Sequence, residues 1–293
     1  MRMETLTCCD ICGSGRIAVL DAANNICRCQ MCGYIFDNPR PTLAEITAFY
    51  SRPGQYDAWM AEEAGRDTMW RRRLRLITRY RNTGRLLDVG TGTGQFLRHA
   101  RAFFDVYGTE VSTSGAKIAM ERYGVTVWNG ALEDINPGFE FDVITLFHVL
   151  EHVPSPTSTM RRCRALLSDG GLVFVAVPND VWRARAVLRR VFARIGMKRF
   201  QIPKLGGVTR IKLDGSTNEI HLSHFSASVL VKLLIRTGFT PVECVLDPYS
   251  VNADRKSDNA SYRRYRRYAL ILKTLGINLY ETLLLVARPS GSR

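Results

Sequence analysis

Leu86-Leu87-Asp88-Val89-Gly90-Thr91-Gly92-Thr93-Gly94 is the stretch on which the fold turns. Leu86 to Gly90 is a short apolar run of strand length, and the helix-forming QFLRHARAF follows the last glycine. Glycines between a strand and a helix let the backbone approach a nucleotide closely and leave the first helical N–H groups unpaired. The spacing is G-x-G-x-G, and Gln95 stands where a dinucleotide fingerprint carries its third glycine, which counts against NAD or FAD. Asp88 sets a carboxylate beside the turn. It would repel a pyrophosphate and would suit a ligand bearing an amine and a sulfonium, the charge pattern of S-adenosylmethionine. A tight turn without ligand is the plain alternative for a lone G-x-G-x-G.

Outward from this turn, strand-like and helix-like segments alternate: DVYGTEV, SGAKIAMERY, VTVWNG, FDVITLF, TMRRCRALL and GLVFVAVPN. After an interruption come ASVLVKLLIRTGF, TPVECVL, a helix near 261–274 and the closing YETLLLVA. Such alternation predicts an α/β, Rossmann-like fold, a parallel sheet with helices on both faces. Glu110, 22 residues after Asp88, falls where a second-strand carboxylate accepts ribose hydroxyls. Leu132 is placed to touch an adenine ring, with Glu133 or Asp134 near its exocyclic amine. Gly90, Thr91, Gly92, Gly94, Gln95, Phe96, Val111 and Phe147 complete the expected cofactor site.

The blocks LLDVGTGTGQFL, YGTEVS, NGALEDI, FDVITLFHVLEHVPSP, LLSDGGLVFVAVPN, HLSHFS and RTGF resemble class I S-adenosylmethionine-dependent methyltransferases over residues 85–287. The resemblance implies a seven-stranded sheet with a reversed final strand, and a cofactor site built on Gly90, Gly92, Glu110 and the residues after the third and fourth strands. Ligands of open α/β sheets bind beyond the carboxyl ends of the strands, so His148, Glu151 and His152 should face the transferred methyl. Methyl transfer to a neutral hydroxyl needs a base, and His148 is the first choice. His152, His221 and His224 are further candidates for base or acceptor contact, against capping or buried hydrogen-bonding roles. The H-x-x-E-H cluster is similar to the E-x-x-E-H with which ubiquinone-pathway O-methyltransferases and small-RNA terminal methyltransferases bind a divalent ion. An ion at His148, Glu151 and His152 is therefore weighed against structural packing of Glu151 and His152. Histidine in the first position argues against a hard magnesium site.

Six of the eight cysteines fall within the first 32 residues. Cys9-x-x-Cys12 and Cys29-x-x-Cys32 form two knuckles whose four thiolates can close a structural zinc site, which a forty-residue segment needs to fold. The head is similar to zinc ribbons ahead of bacterial methyltransferases acting on sugars, glycans and secondary metabolites. The expected organisation is a ribbon at 1–40, a helical linker at 41–83 and the methyltransferase domain at 84–293, with an insertion at about 180–220.

The chain has 293 residues, 41 Lys plus Arg against 27 Asp plus Glu, and a net charge of +14. Hydrophobic residues make up 46% and charged residues 23%, which excludes a mainly disordered chain. No apolar run has the roughly 18 residues of a membrane span, and the N-terminus lacks an apolar signal core, so a cytoplasmic protein is expected. Ten basic and no acidic residues lie between Arg183 and Lys212. On a helical wheel Val181, Ala184, Val187, Leu188, Val191, Phe192 and Ile195 share one face, and Arg183, Arg185, Arg189, Arg190 and Arg194 the other. This reads as a lid helix, as an anionic-membrane contact at the inner face of the membrane, or as a phosphate site. Arg263, Arg264, Arg266 and Arg267, with Tyr262, Tyr265 and Tyr268 interleaved, would assist the last.

The leading expectation is O-methylation of a saccharide, a lipid-linked glycan or another small secondary metabolite. RNA methylation using the ribbon and basic patches ranks second, and a non-catalytic zinc-ribbon adaptor third. No N-P-P-[YF]-like tetrapeptide follows the fourth strand, which weighs against RNA.

Overall fold

The computed structural model describes residues 2–52, 60, 63–179, 219–247 and 255–291. The head contributes β1 (Met3–Glu4), β2 (Ile17–Asp21), β3 (Ile26–Cys29), β4 (Ile35–Asp37) and β5 (Arg40–Pro41). Helices α1 (Leu43–Tyr50) and α2 (Glu63–Thr78) follow. The alternating region then forms β6 (Arg85–Val89), α3 (Gln95–Ala100), β7 (Asp105–Glu110), α4 (Thr113–Tyr123), β8 (Thr126–Asn129), β9 (Phe141–Phe147), α5 (Pro156–Leu166) and β10 (Leu167–Pro178). Residue 219 leads into β11 (Ser223–His224), α6 (Ala227–Arg236), β12 (Phe239–Leu246), α7 (Arg255–Leu275) and β13 (Thr282–Pro289).

The main sheet has seven strands in the order β12-β13-β10-β9-β6-β7-β8. Strand β13 runs antiparallel to both β10 and β12, while β10, β9, β6, β7 and β8 pair in parallel. The central strands are apolar because both faces are covered: Val143, Ile144, Leu146, Phe174, Val175 and Val177 are fully buried. Met69, Trp70, Ile77, Leu97 and Ala116 of α2, α3 and α4 pack on one face. On the other, Met160, Cys163, Leu230 and Leu233 of α5 and α6 share a core with Ile11, Tyr34 and Phe36 of the head. Strands β6, β7 and β8 step to one edge before the chain returns to β9 on the other side of β6, so the topological switch point lies between β6 and β9.

The head is fused to the domain behind it. Its sheet has the order β11-β4-β3-β2, and the closing strand β11 comes from residues 223–224, pairing Ser223 with Phe36 and His224 with Ile35. Tyr34 Oη and Ser223 Oγ are 2.5 Å apart, and Lys232 Nζ donates to the Cys32 carbonyl at 3.0 Å.

The basic wheel from Val181 to Ile195, and the side chains of Tyr262 and Arg264, lie outside the described residues. Tyr265 and Tyr268 pack edge-on against Tyr280, with ring centroids 5.7 and 5.9 Å away. Their rings anchor α7 to the sheet, a use that competes with base stacking. No helix among the described residues is long and apolar enough to cross a membrane.

Candidate functional site

A cavity of about 350 Å³ opens at the switch point, within the usual range for small-molecule sites. Gly90 and Gly92 line it from the turn after β6, Glu110 and Val111 from the end of β7, and Leu132 and Glu133 from the segment after β8. His148 and His152 line it from the loop after β9, and Tyr50 of α1 also faces it. Gly90 has φ +66°, and a Cβ there would sit 2.8 Å from Val149 Cγ2. Only a bare backbone can occupy that part of the wall, as a close ligand cradle requires.

Glu110 is 5% exposed, and its two oxygens are held from opposite sides. Oε2 accepts the Gly92 N–H at 2.7 Å and Oε1 accepts the Ser112 N–H at 2.8 Å. Ser112 also caps α4 through the Gly115 N–H at 3.3 Å. The carboxylate is thus fixed between the glycine turn and a helix N-terminus, where negative charge is favoured.

Asp88, Thr91, Gly94, Gln95, Phe96 and Phe147 do not line the cavity; they are placed behind it. Asp88 is buried and accepts from Thr145 Oγ1 at 2.6 Å, and burial pushes its carboxyl up to about 7. The Thr91 N–H is spent on the Thr109 carbonyl at 2.9 Å. Gln95 Oε1 accepts from Trp70 Nε1 at 3.3 Å, and Phe96 meets Phe147 edge-on at 5.3 Å. The loop is where its spacing predicts, but α3 turns Gln95 and Phe96 toward Trp70 of α2, and a linear pattern does not encode that rotation.

The histidines separate into different roles. His148 ends β9 with φ +61°, a left-handed conformation that costs free energy in a β-carbon-bearing residue. Its Nδ1 lies 3.2 Å from Glu151 Oε1 and its Nε2 4.0 Å from Asp247 Oδ2. His152 Nδ1 is 2.6 Å from the Ile220 carbonyl. A carbonyl only accepts, so Nδ1 carries the hydrogen and Nε2 holds the lone pair. Burial lowers the His152 pKa, which keeps the ring neutral near pH 7. His224 lies in β11 with Nε2 3.1 Å from Asp37 Oδ1, and it is 1% exposed. It belongs to the head sheet and not to the cavity, because strand pairing with β4 carries it there.

Glu151 is buried. Burial raises its pKa, but the His148 hydrogen bond and the charges of His152 and His148 outweigh this and hold it below the ordinary carboxylate value. Its Oε2 is buried without a hydrogen-bond partner among the described residues. One ligand atom each from Glu151, His152 and His221 lies within 4.8 Å of the others. The grouping differs from His148, Glu151 and His152, since His221 replaces His148. The cause is tertiary: the Leu222 and Ser223 N–H groups donate to the Glu151 carbonyl at 2.7 and 3.2 Å, which lays residues 219–223 against the loop after β9. Glu219 lines the cavity, and its bond to His221 at 3.3 Å lowers its pKa to about 2.

Three contributors have no motif. Tyr50 Oη accepts the Ile220 N–H at 3.0 Å and lies 3.0 Å from His152 Nδ1. Arg73, in the arginine-rich helix α2, is 1% exposed and donates through Nε to Asp247 Oδ1 at 3.0 Å, with its guanidinium 4.4 Å from the centre of the Phe147 ring. Asp247, at the end of β12, is fully buried beside His148.

In the head, Cys9 and Cys32 Sγ are 3.5 Å apart, as are Cys12 and Cys29, and all four sulfurs lie within 4.8 Å. Tetrahedral zinc with bonds of about 2.3 Å separates its thiolates by roughly 3.8 Å, so the donor set fits that ion. Burial opposes ionisation of Cys29, but the Cys32 and Met31 N–H groups outweigh it and lower its pKa to about 7. Cys8 is exposed, and Cys27 Sγ contacts the Asn38 carbonyl instead of the cluster.

A family model described as "Methyltransferase domain" matches residues 56–244. Among curated proteins, the ubiquinone biosynthesis O-methyltransferase of Bordetella avium is 36% identical over 106 residues, 32% of this chain and 43% of the relative. That of Methylococcus capsulatus is 38% identical over 107 residues, 33% and 45% of the two chains. The chain therefore spans less than half the length of these two relatives. Among solved structures, a chain described as "DhpI-SAH complex structure" aligns with TM-score 0.53 and 20% identity, covering 85% of this chain and 96% of the other. The magnesium protoporphyrin IX methyltransferase of Synechocystis with bound SAH aligns with TM-score 0.52 and 13% identity, covering 84% and 99%.

Proposed function

The chain belongs to the methyltransferase-domain family, and from that premise we propose that it transfers the methyl group of S-adenosylmethionine to an oxygen of a small acceptor. A saccharide, a lipid-linked glycan or a secondary metabolite is the acceptor class. The observation that carries the proposal is the Glu110 carboxylate, buried at the cavity wall and fixed to the Gly92 N–H. Such a carboxylate suits a ribose diol, and the bare backbone at Gly90 suits close approach of the rest of the cofactor. The relatives named as O-methyltransferases support oxygen as the accepting atom.

When bound, the cofactor supplies an electrophilic methyl on a sulfonium. Displacement at that carbon is governed by alignment, and a neutral hydroxyl must lose its proton. His152 is the base this geometry favours: Ile220 fixes the tautomer, Nε2 holds the lone pair, and burial keeps the ring uncharged. His148 is engaged by Glu151 on one nitrogen, and its other nitrogen is turned toward buried Asp247. As an alternative use of the His152 lone pair, Glu151, His152 and His221 have the donor chemistry to hold a divalent ion of the imidazole-preferring kind. That ion would acidify a coordinated hydroxyl. Zinc in the head would be held by Cys9, Cys12, Cys29 and Cys32 and would fix the ribbon's shape.

Calorimetric titration with S-adenosylhomocysteine should show one site per chain, and Glu110→Ala should weaken it at least tenfold. Binding unaffected by Glu110→Ala would refute the assigned site. Incubation of the protein with methyl-labelled cofactor and fractionated cell extract should place label in lipid, glycan or small-molecule fractions; label in RNA would select the RNA reading.

A further inference from the structure

Asp10 sits between Cys9 and Cys12 in the first knuckle, yet among the described residues its side-chain hydrogen bonds go to the main domain. Its Oδ1 accepts from Ser155 Oγ at 2.6 Å and its Oδ2 from the Thr157 N–H at 2.9 Å, while its carbonyl accepts from Thr157 Oγ1 at 3.0 Å. These three bonds join the knuckle to the first turn of α5. The carboxylate lies at a helix N-terminus, where it satisfies an N–H that the helix leaves open.

That turn is also a wall of the cavity. Ser155, Ser158 and Thr159 line it, and Ser155 Oγ caps the Ser158 N–H at 3.1 Å. Thr159 Oγ1 donates to Glu133 Oε1 at 2.7 Å, and Glu133 lines the cavity from the segment after β8. The backbone of the knuckle, the hydrogen bonds of Asp10 and those of Ser155 and Thr159 therefore connect the thiolate cluster to two segments of the cavity wall. Four thiolates hold a knuckle in one shape when metal closes them and leave it free to open when metal is absent. Metal at the four thiolates therefore favours the closed knuckle, the form in which Asp10 reaches α5.

We infer that Asp10 is a positioning residue through which zinc at Cys9, Cys12, Cys29 and Cys32 and the cofactor in the switch-point cavity strengthen each other's binding. This rests on the reading of the cavity as a cofactor site. Linkage makes the effect reciprocal, so each ligand raises the affinity of the other by the same factor.

Zinc affinity is measured on the full chain by competition with a chromophoric chelator, with and without saturating S-adenosylhomocysteine. Affinity for S-adenosylhomocysteine is measured on zinc-loaded and zinc-stripped protein. Both ratios should equal one another and reach about 5-fold or more. Asp10→Ala should keep one zinc per chain and bring the ratio close to one, and Thr157→Val, which removes a single bond, should give an intermediate ratio. If Asp10→Ala does not fold, Thr157→Val decides the route by the same comparison. Equal zinc affinity with and without S-adenosylhomocysteine overturns the coupling, and an undiminished ratio in the variants overturns Asp10 as its route. S-adenosylhomocysteine that fails to bind the zinc-loaded chain defeats the cofactor reading together with this inference. Binding without coupling defeats the inference alone.

Discussion

Asp88 has its proton affinity set by burial, and the consequence is measurable. The unfolded chain ionises this carboxyl from near pH 4, whereas the folded protein retains the proton until about pH 7. The folded state thus binds more protons across that window. The contribution is fully present below about pH 4, falls as pH rises by about 1.4 kcal/mol per unit, and levels off above about pH 7. Asp88→Asn removes this dependence, so urea midpoints of the variant should gain on the parent between pH 4 and 7. A constant difference over that range would contradict the assignment. Asp88 was legible in the sequence as a residue of the turn, but its depth was not: its spacing cannot say whether a carboxylate faces ligand or lies behind the wall with Thr145.

At the scale of elements, strand β6, the glycine turn and α3 follow local rules, and each was readable from its own residues. Gly94 shows how tightly they are then packed. It takes φ +80° at the start of α3, and a Cβ there would lie 2.8 Å from Ala119 Cβ and 3.2 Å from Ala119 Cα. Left-handed strain costs about 1–2 kcal/mol and overpacking about 1–3 kcal/mol, so Gly94→Ala should destabilise by about 2–5 kcal/mol in denaturant unfolding. Ala119→Gly in the same chain should recover the packing part, and additive effects of the two changes would show that the α3–α4 contact is not the cause. Helix α5 was legible from TMRRCRALL, and the structure starts it three residues earlier, with Ser155 as cap and Pro156 in its first turn. That a residue of the zinc knuckle also serves its N-terminus was not, since Asp10 lies 147 residues from Thr157.

Over the whole molecule, the ion pair of Arg73 with Asp247 spans 174 residues and ties α2 to the end of β12. Both side chains are buried, so removing one leaves an uncompensated charge and should cost about 3–5 kcal/mol, as Arg73→Met or Asp247→Leu. The double variant should recover most of that loss in equilibrium unfolding. A double variant no more stable than either single one would show that the pair contributes more than mutual neutralisation. The head belongs to the same scale, because its sheet is closed by β11 and its apolar side chains share a core with α5 and α6.

The sequence by itself determined the alternation of strands and helices in the main sheet, the glycine turn with its acidic partner Glu110, and the two cysteine knuckles. Each of these depends on chemistry within a few neighbouring residues or on a spacing that the backbone preserves. Only the tertiary structure decided that His221 joins Glu151 and His152 while His224 joins Asp37, and that Arg73 is buried against Asp247. Those outcomes depend on which distant segments meet, and that is set by burial of the shared core and pairing of remote backbone groups, to which no local pattern corresponds.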